Sequence, residues 1–196
     1  MEHPRPRVVM LAGPNGAGKS TAAPSLLKGI LRVQEFINAD NIARGISAFQ
    51  PDAAALQAGR VMMARLKTLA ARRVDFAFET ILASRTFAPW MKTLLCEGYA
   101  FGLVFLWVPS VDVALARVKE RVRAGGHSVP GETIRRRYQA GLENFFRIYR
   151  PLATTWHFYD NGGRMGPRLV ARGRGRTETH VRDPRLWQSI KVKYER

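Results

Sequence analysis

The sequence predicts an α/β fold built on a mainly parallel sheet with helices on both faces, and three observations carry that reading. Strand-like apolar runs alternate with helical patterns along the chain. A glycine-rich octapeptide joins the first run to the first helical pattern. The 196 residues contain no linker or low-complexity tract, so one domain over residues 1–196, with a full core behind a single sheet, is the most economical arrangement.

Strand-like segments fall at Arg7–Leu11, Glu35–Ile37, Asp75–Phe78, Phe101–Val108 and His157–Tyr159. A helix is expected from about Gly18 to Leu31, where Pro24 is tolerable only near the first turns because it has no N–H to donate. Pro51-Asp52 opens another helix through Arg73, whose Leu56, Met63, Leu66 and Ala70 recur at helical spacing and read as core. Ser84 caps a helix that Gly98 ends, and Ser110 caps one running to Gly125-Gly126. The next begins near Pro130 and continues to about Tyr149, and Asp183-Pro184 starts a terminal helix with Trp187 and Ile190 on one side. Leu169–Arg172 and Thr177–Val181 read as a short antiparallel edge.

Composition narrows the class. A hydrophobic fraction of 46% with 10% aromatics is far from that of chains too polar to fold. The longest apolar run, Tyr99 to Val108, is too short for a membrane span, and Met1-Glu2-His3-Pro4 lacks the apolar stretch of a signal peptide, so no membrane association and a cytoplasmic location are expected. The single cysteine, Cys96, reads as a core residue and offers no metal-ligand spacing. Net charge is +17, with 13 Lys/Arg against 7 Asp/Glu in residues 1–98 and 19 against 8 in residues 99–196. The basic excess fits an arginine-lined site for a polyanion, a nucleic-acid footprint or an arginine-rich surface of genomic origin. The last is favoured, because the stretch Arg168 to Arg185 interleaves no aromatics with its arginines.

The octapeptide Gly13-Pro14-Asn15-Gly16-Ala17-Gly18-Lys19-Ser20 follows Val8-Val9-Met10-Leu11 and leads into Thr21-Ala22-Ala23. It matches GxxxxGK[ST] at every fixed position. Its glycines let backbone N–H groups approach phosphate oxygens, Lys19 reaches the β- and γ-phosphates, and the Ser20 hydroxyl ligates Mg²⁺. The expectation is a P-loop NTPase fold with residues Gly13 to Thr21 binding ATP. The chain lacks the Asn-Lys-x-Asp guanine motif and an Asp-x-x-Gly switch, which disfavours a GTPase, and it is short for a motor domain. A small phosphoryl-transfer enzyme fits best: it holds an acceptor hydroxyl in line with the γ-phosphate and neutralises the transferring charge.

Ligands of such sheets collect at the carboxyl ends of the strands. Asp40, just after Glu35-Phe36-Ile37, is the candidate catalytic base, with a helix N-cap as its structural alternative. Glu79, delivered by Phe76-Ala77-Phe78, is a candidate ligand for a substrate hydroxyl or a Mg²⁺-bound water. Thr80 and Arg85 follow it as further substrate contacts. Arg121 to Pro130 and Ile134 to Tyr138 place arginines on both sides of a glycine hinge, an arginine-rich helical lid from which Arg123 and Arg136 are the preferred charge stabilisers. His127 reads as a hinge hydrogen-bonder, and Asn161 as either a neighbour of the adenine or a turn residue.

Gly13–Thr21, Ile37-Asn38-Ala39-Asp40, Phe78-Glu79-Thr80, Gly125-Gly126-His127-Ser128-Val129-Pro130 with Ile134–Tyr138, and Tyr159-Asp160-Asn161 together resemble the zeta-toxin family of P-loop kinases, over about residues 7–172. The resemblance implies Mg-ATP on Lys19 and Ser20, Asp40 as base, Glu79 on a sugar and lid arginines on the transferring phosphate. It further implies transfer to the 3′-hydroxyl of UDP-N-acetylglucosamine and an antitoxin partner, as for several family members. Ile81 stands where the family tends to place a threonine, and the short chain and its Gly13-Pro14-Asn15 loop look more like the stand-alone members. A kinase for another small hydroxyl compound, and a nucleic-acid end-kinase or RNA-binding protein, are the alternatives.

Overall fold

The computed structural model describes residues 5–51, 53–126, 128–163 and 165–195. In chain order they form β1 (Arg7–Ala12), α1 (Lys19–Ala23) continuing as a π-helix (Pro24–Ile30), β2 (Glu35–Ile37), α2 (Ala39–Ile46), α3 (Ala55–Ala71), β3 (Phe76–Thr80), α4 (Phe87–Cys96) and β4 (Ala100–Trp107). There follow α5 (Val111–Arg123), α6 (Gly131–Asn144) with a π-turn (Phe145–Tyr149), α7 (Arg150–Leu152), β5 (Thr155–Asp160), β6 (Arg168–Arg174), β7 (Thr177–Val181) and α8 (Pro184–Tyr194). One sheet runs in the order β2-β3-β1-β4-β5-β6-β7, parallel through β5 and antiparallel from β5 to β7. The expected parallel sheet and antiparallel edge are both present.

Alternation and register place a row of large side chains on one face of the sheet. Phe76, Phe78, Phe101, Leu103, Phe105, Trp156 and Phe158 are fully buried. Phe78 meets Phe87 and Trp90 of α4, whereas Phe158 meets Phe145, Phe146 and Trp187 of the π-turn and α8. Truncating one of these rings to alanine costs about 3–5 kcal/mol. Trp187 and Ile190 are buried as their spacing on α8 implies.

Several local expectations are corrected. The first helix does not run as one α-helix to Leu31. From Pro24, which lacks the N–H an α-helix needs, the backbone widens to π geometry, and Leu31 N donates to Leu26 O at 3.0 Å. The helix expected from Pro51 begins at Ala55; Leu56, in its first turn, is 72% exposed, and the buried stripe is Ala58, Met62, Leu66 and Leu69. Position 52 lies outside the described residues. Cys96 ends α4 on the exposed side. Ser84 does not cap α4, which starts at Phe87; its hydroxyl instead accepts from Thr86 N at 3.1 Å within the preceding loop. That loop is fixed by residues distant in sequence, since Asn144 Nδ2 donates to Leu82 O at 2.9 Å and the Tyr149 hydroxyl donates to Ser84 O at 2.8 Å. Burial raises the Tyr149 phenol to about 12, so it is a donor at all ordinary pH.

Candidate active site

The first phosphate-loop residues leave β1 beneath the end of β4. Gly13 has φ +146, and a Cβ there would collide with Leu106 O; Gly16 has φ +75, and a Cβ would lie 2.6 Å from Ala114 O at the start of α5. Only glycine fits between these backbones. Gly13, Pro14 and Ala17 are buried under the loop, and Asn15, Gly16, Gly18, Lys19, Ser20 and Thr21 face a cleft of about 890 Å³.

Lys19 opens α1 with a side chain only 6% exposed. Its Nζ donates to Gly13 O at 2.9 Å and Pro14 O at 3.1 Å and lies 3.5 Å from Glu79 Oε1. Burial pushes the ammonium below its ordinary range, the Glu79 and Asp40 carboxylates pull it back up, and Arg121 adds to the depression.

Glu79 arrives here because β3 pairs with β1 in the register Leu11↔Glu79, which puts its carboxylate beside the loop. The Ser20 hydroxyl donates to Glu79 Oε2 at 3.0 Å, and Asn38 Nδ2 donates to the same oxygen at 2.6 Å. Asn38 is also the N-cap of α2, its side chain accepting from Asn41 N at 3.1 Å. The cap that the sequence offered to Asp40 is therefore filled by Asn38, and Asp40, in the first turn of α2, is exposed into the cleft. Thr80 also lines the cleft, with its hydroxyl accepting from Leu82 N at 3.0 Å.

The arginines fall differently from the expectation. Arg85, Arg123 and Arg136 are exposed and lie off the cleft lining, which instead receives Arg117 and Arg121 from α5 and Arg137 from α6. Helical phase explains the change: Arg117 and Arg121 are one turn apart on one face, and Arg123 is about 200° round from Arg121. Arg117 braces the loop after β5, donating to Asn161 O at 2.7 Å and Gly162 O at 3.0 Å, while Asn161 Nδ2 donates to Ala17 O at 2.7 Å. Asn161 thus ties the end of β5 to the phosphate loop and also lines the cleft. His127 lies outside the described residues. The far wall is apolar, with Met62 and Met63 of α3, Ile81 and Phe87.

Asn38 and Arg117 were missed in the sequence. The four-residue step from Arg117 to Arg121 was a usable signal for the arginine face. Nothing local announced the bond from Asn38 to Glu79, which is distant in sequence.

Among the described residues no helix is long and apolar enough to cross a membrane. A protein of Haemophilus influenzae, itself uncharacterized, is 30% identical over 132 residues, 67% of this chain and 92% of its own length. Among solved structures, the AvrRxo1-ORF1:-ORF2 complex with ATP has a TM-score of 0.71 at 15% identity, covering 95% of this chain and 63% of that one. The PezAT chromosomal toxin-antitoxin system of Streptococcus pneumoniae gives 0.67 at 11% identity, covering 99% of this chain and 80% of that one. This chain spans less than two thirds of the AvrRxo1 chain, and at such identities the likeness is one of fold, a kinase-like P-loop architecture. The family described as an AAA domain matches residues 8–144, a segment that holds the phosphate loop, β3 with Glu79 and both arginine-bearing helices, and the chain belongs to that family, AAA_33.

Proposed function

We propose that this chain is an ATP-dependent kinase for the hydroxyl of a small molecule, of the zeta-toxin type. The observation that carries the reading is the convergence of Lys19, Ser20 and Asn38 on one carboxylate, Glu79, at the floor of a cleft that Asp40 also lines. Phosphate oxygens entering the loop give the Lys19 ammonium better acceptors than the two carbonyls that hold it. The hydroxyl of Ser20 and the carboxylate of Glu79, 3.0 Å apart, are hard oxygen donors of the kind Mg²⁺ takes alongside phosphates and waters. Bound there, Mg²⁺ would neutralise charge developing on the phosphate oxygens.

Asp40 is free of the capping role and accepts the proton of the incoming hydroxyl as the oxygen attacks the γ-phosphorus and the bond to the β–γ bridging oxygen breaks, releasing ADP. Arg121 and Arg137 take the place first given to Arg123 and Arg136, presenting guanidinium charge to the transferring phosphoryl group. Thr80 and the apolar wall of Met62, Met63 and Phe87 receive the body of the acceptor. The 3′-hydroxyl of UDP-N-acetylglucosamine and a protein antitoxin are the finer form of this reading, as is work in the cytoplasm, where ATP is supplied.

The test is to incubate the protein with Mg-ATP and a panel of UDP-sugars, free sugars and nucleosides, and to look for a product heavier by one phosphate. Phosphorylation of UDP-N-acetylglucosamine supports the finer form. Phosphorylation of another compound alone removes that form and keeps the kinase. A panel untouched by protein that binds Mg-ATP defeats the assignment.

A further inference from the structure

We propose that the face of β5, β6 and β7 opposite α8 binds a single-stranded nucleic acid, with Tyr159 and His157 stacking on bases and Arg172 and Arg174 holding phosphates. The surface is separate from the cleft lining and does not depend on the kinase reading.

Strand alternation assigns the two faces. Trp156 and Phe158 point at Trp187 of α8, so their neighbours on β5, Thr155, His157 and Tyr159, point the other way, and all three are only half-buried. Register then carries a row across three strands, His157 beside Arg172 and Arg172 beside His180, with Arg172 and His180 exposed. Arg174, two residues along β6, shares the face of Arg172 and is exposed as well. The rings of His157 and Tyr159 are stacked, 19° apart in plane with centroids separated by 6.2 Å.

Among the described residues the arginines of this face carry no counter-charge. Arg168 is occupied by Asp160 at 3.3 Å and Asp183 at 3.2 Å, and Glu178 is engaged from the α8 side by Lys191 at 2.6 Å. Among the described residues Arg172, Arg174, Arg176 and Arg182 have no ion pair. Burial and the neighbouring Arg172 hold the His157 imidazole below its ordinary range, and burial raises the Tyr159 phenol, so both rings are uncharged at neutral pH. Uncharged rings beside free guanidinium groups suit a strand whose bases are unpaired and whose backbone is anionic. The arginine stretch from Arg168 to Arg185 contains no aromatic of its own, but the adjacent strand supplies the rings. A lipid surface fits less well, because none of the large exposed apolar residues described lies on these strands.

The test uses the full chain and 5′-fluorescein-labelled uridylate and thymidylate 12-mers, read by anisotropy over a salt series. Replacing Arg172 and Arg174 by Glu together is expected to weaken binding by at least about thirtyfold and to flatten the log–log salt slope by roughly 1.4, at about 0.7 per lost phosphate contact on a single strand. The charge-matched pair Arg60→Glu and Lys67→Glu, on exposed positions of α3, is expected to change affinity less than about threefold. An abasic 12-mer is expected to bind about tenfold or more weakly than the base-bearing ones, and Tyr159→Phe to retain binding where Tyr159→Leu loses it. Should Tyr159→Leu fail to fold, the arginine pair and the abasic oligomer still decide. Equal losses from the two charge-reversed pairs, equal binding of abasic and base-bearing oligomers, or binding only to vesicles with anionic headgroups or to an acidic peptide would each overturn the proposal. Mg-ATP binding is expected to be unchanged in the double variant, so the outcome is distinguishable from failure of the kinase reading.

Discussion

The two halves of the sheet treat positive charge in opposite ways. Under the cleft, Lys19 is buried against two carbonyls and the Glu79 carboxylate, while at the antiparallel end Arg172 and Arg174 are exposed beside uncharged rings. A buried cation costs desolvation and persists because partners are built around it, whereas a surface cation costs little and keeps its full field for a visitor. The same net charge of +17 therefore contains a buried, partnered component and a diffuse one. Composition alone cannot separate them.

The largest expected effect comes from removing the held charge. Lys19→Met should lower turnover by at least about a thousandfold, since the phosphate charge in the transition state loses its partner. Burial of this ammonium costs desolvation that Met does not incur, so the variant's thermal midpoint should change little. A large loss of folding stability with modest loss of turnover would reverse the comparison. Turnover assays beside calorimetric melting distinguish the two.

Next in size is Asp40→Asn. With Asn38 supplying the cap of α2, the change should leave the helix intact, lower kcat by about 10²–10⁴ and alter Mg-ATP affinity by less than about threefold. If affinity and kcat fall together, the carboxylate acts on the nucleotide. Smaller again, Arg121→Ala and Arg137→Ala should each lower kcat by about tenfold or more, against less than about twofold for Arg123→Ala and Arg136→Ala. That contrast sharpens the distinction between held and free charge within the same two helices.

What the sequence made legible follows the range of the interactions involved. The octapeptide, the acid after β2 and the acid on β3 were readable because strand ends and glycine-rich turns are local patterns, and the structure brings all three to one cleft. The choice among arginines was not readable by proximity to the hinge, because side-chain direction depends on helical phase. Residue type points Cys96 to the core and helical spacing points Leu56 there, although each side chain is exposed on its helix. The joint use of Glu79 by Ser20 and Asn38 required the pairing of β2 with β3 and of β3 with β1, a long-range fact. The same limit hides the rings beside Arg172, since they lie on the neighbouring strand β5 and not in the stretch after Arg168.

The smallest effect tests where the antiparallel half does hold its charges, at the clasp between β7 and α8. Arg150 is fully buried, with its guanidinium near Phe146 and Trp156, 3.7 Å from Glu178 and bonded to Glu195. Burial raises the Glu178 carboxyl, but the hydrogen bond from Lys191 and the charges of Lys191 and Arg150 outweigh it and hold the group below its ordinary value of 4.5. The native state therefore binds fewer protons here than the unfolded chain. Its contribution is complete above the unfolded pKa and is lost as pH falls through the lower folded value. Glu178→Gln should cost on the order of 1 kcal/mol at neutral pH, about 2–4 °C in melting temperature for a chain of this size, and the difference from the parent should shrink as pH drops below about 4.5. Melting curves at pH 7 and pH 3.5 check this. A difference that grows on acidification would mean that Glu178 is better held protonated, and that charge in this half is uncompensated even where the geometry shows partners.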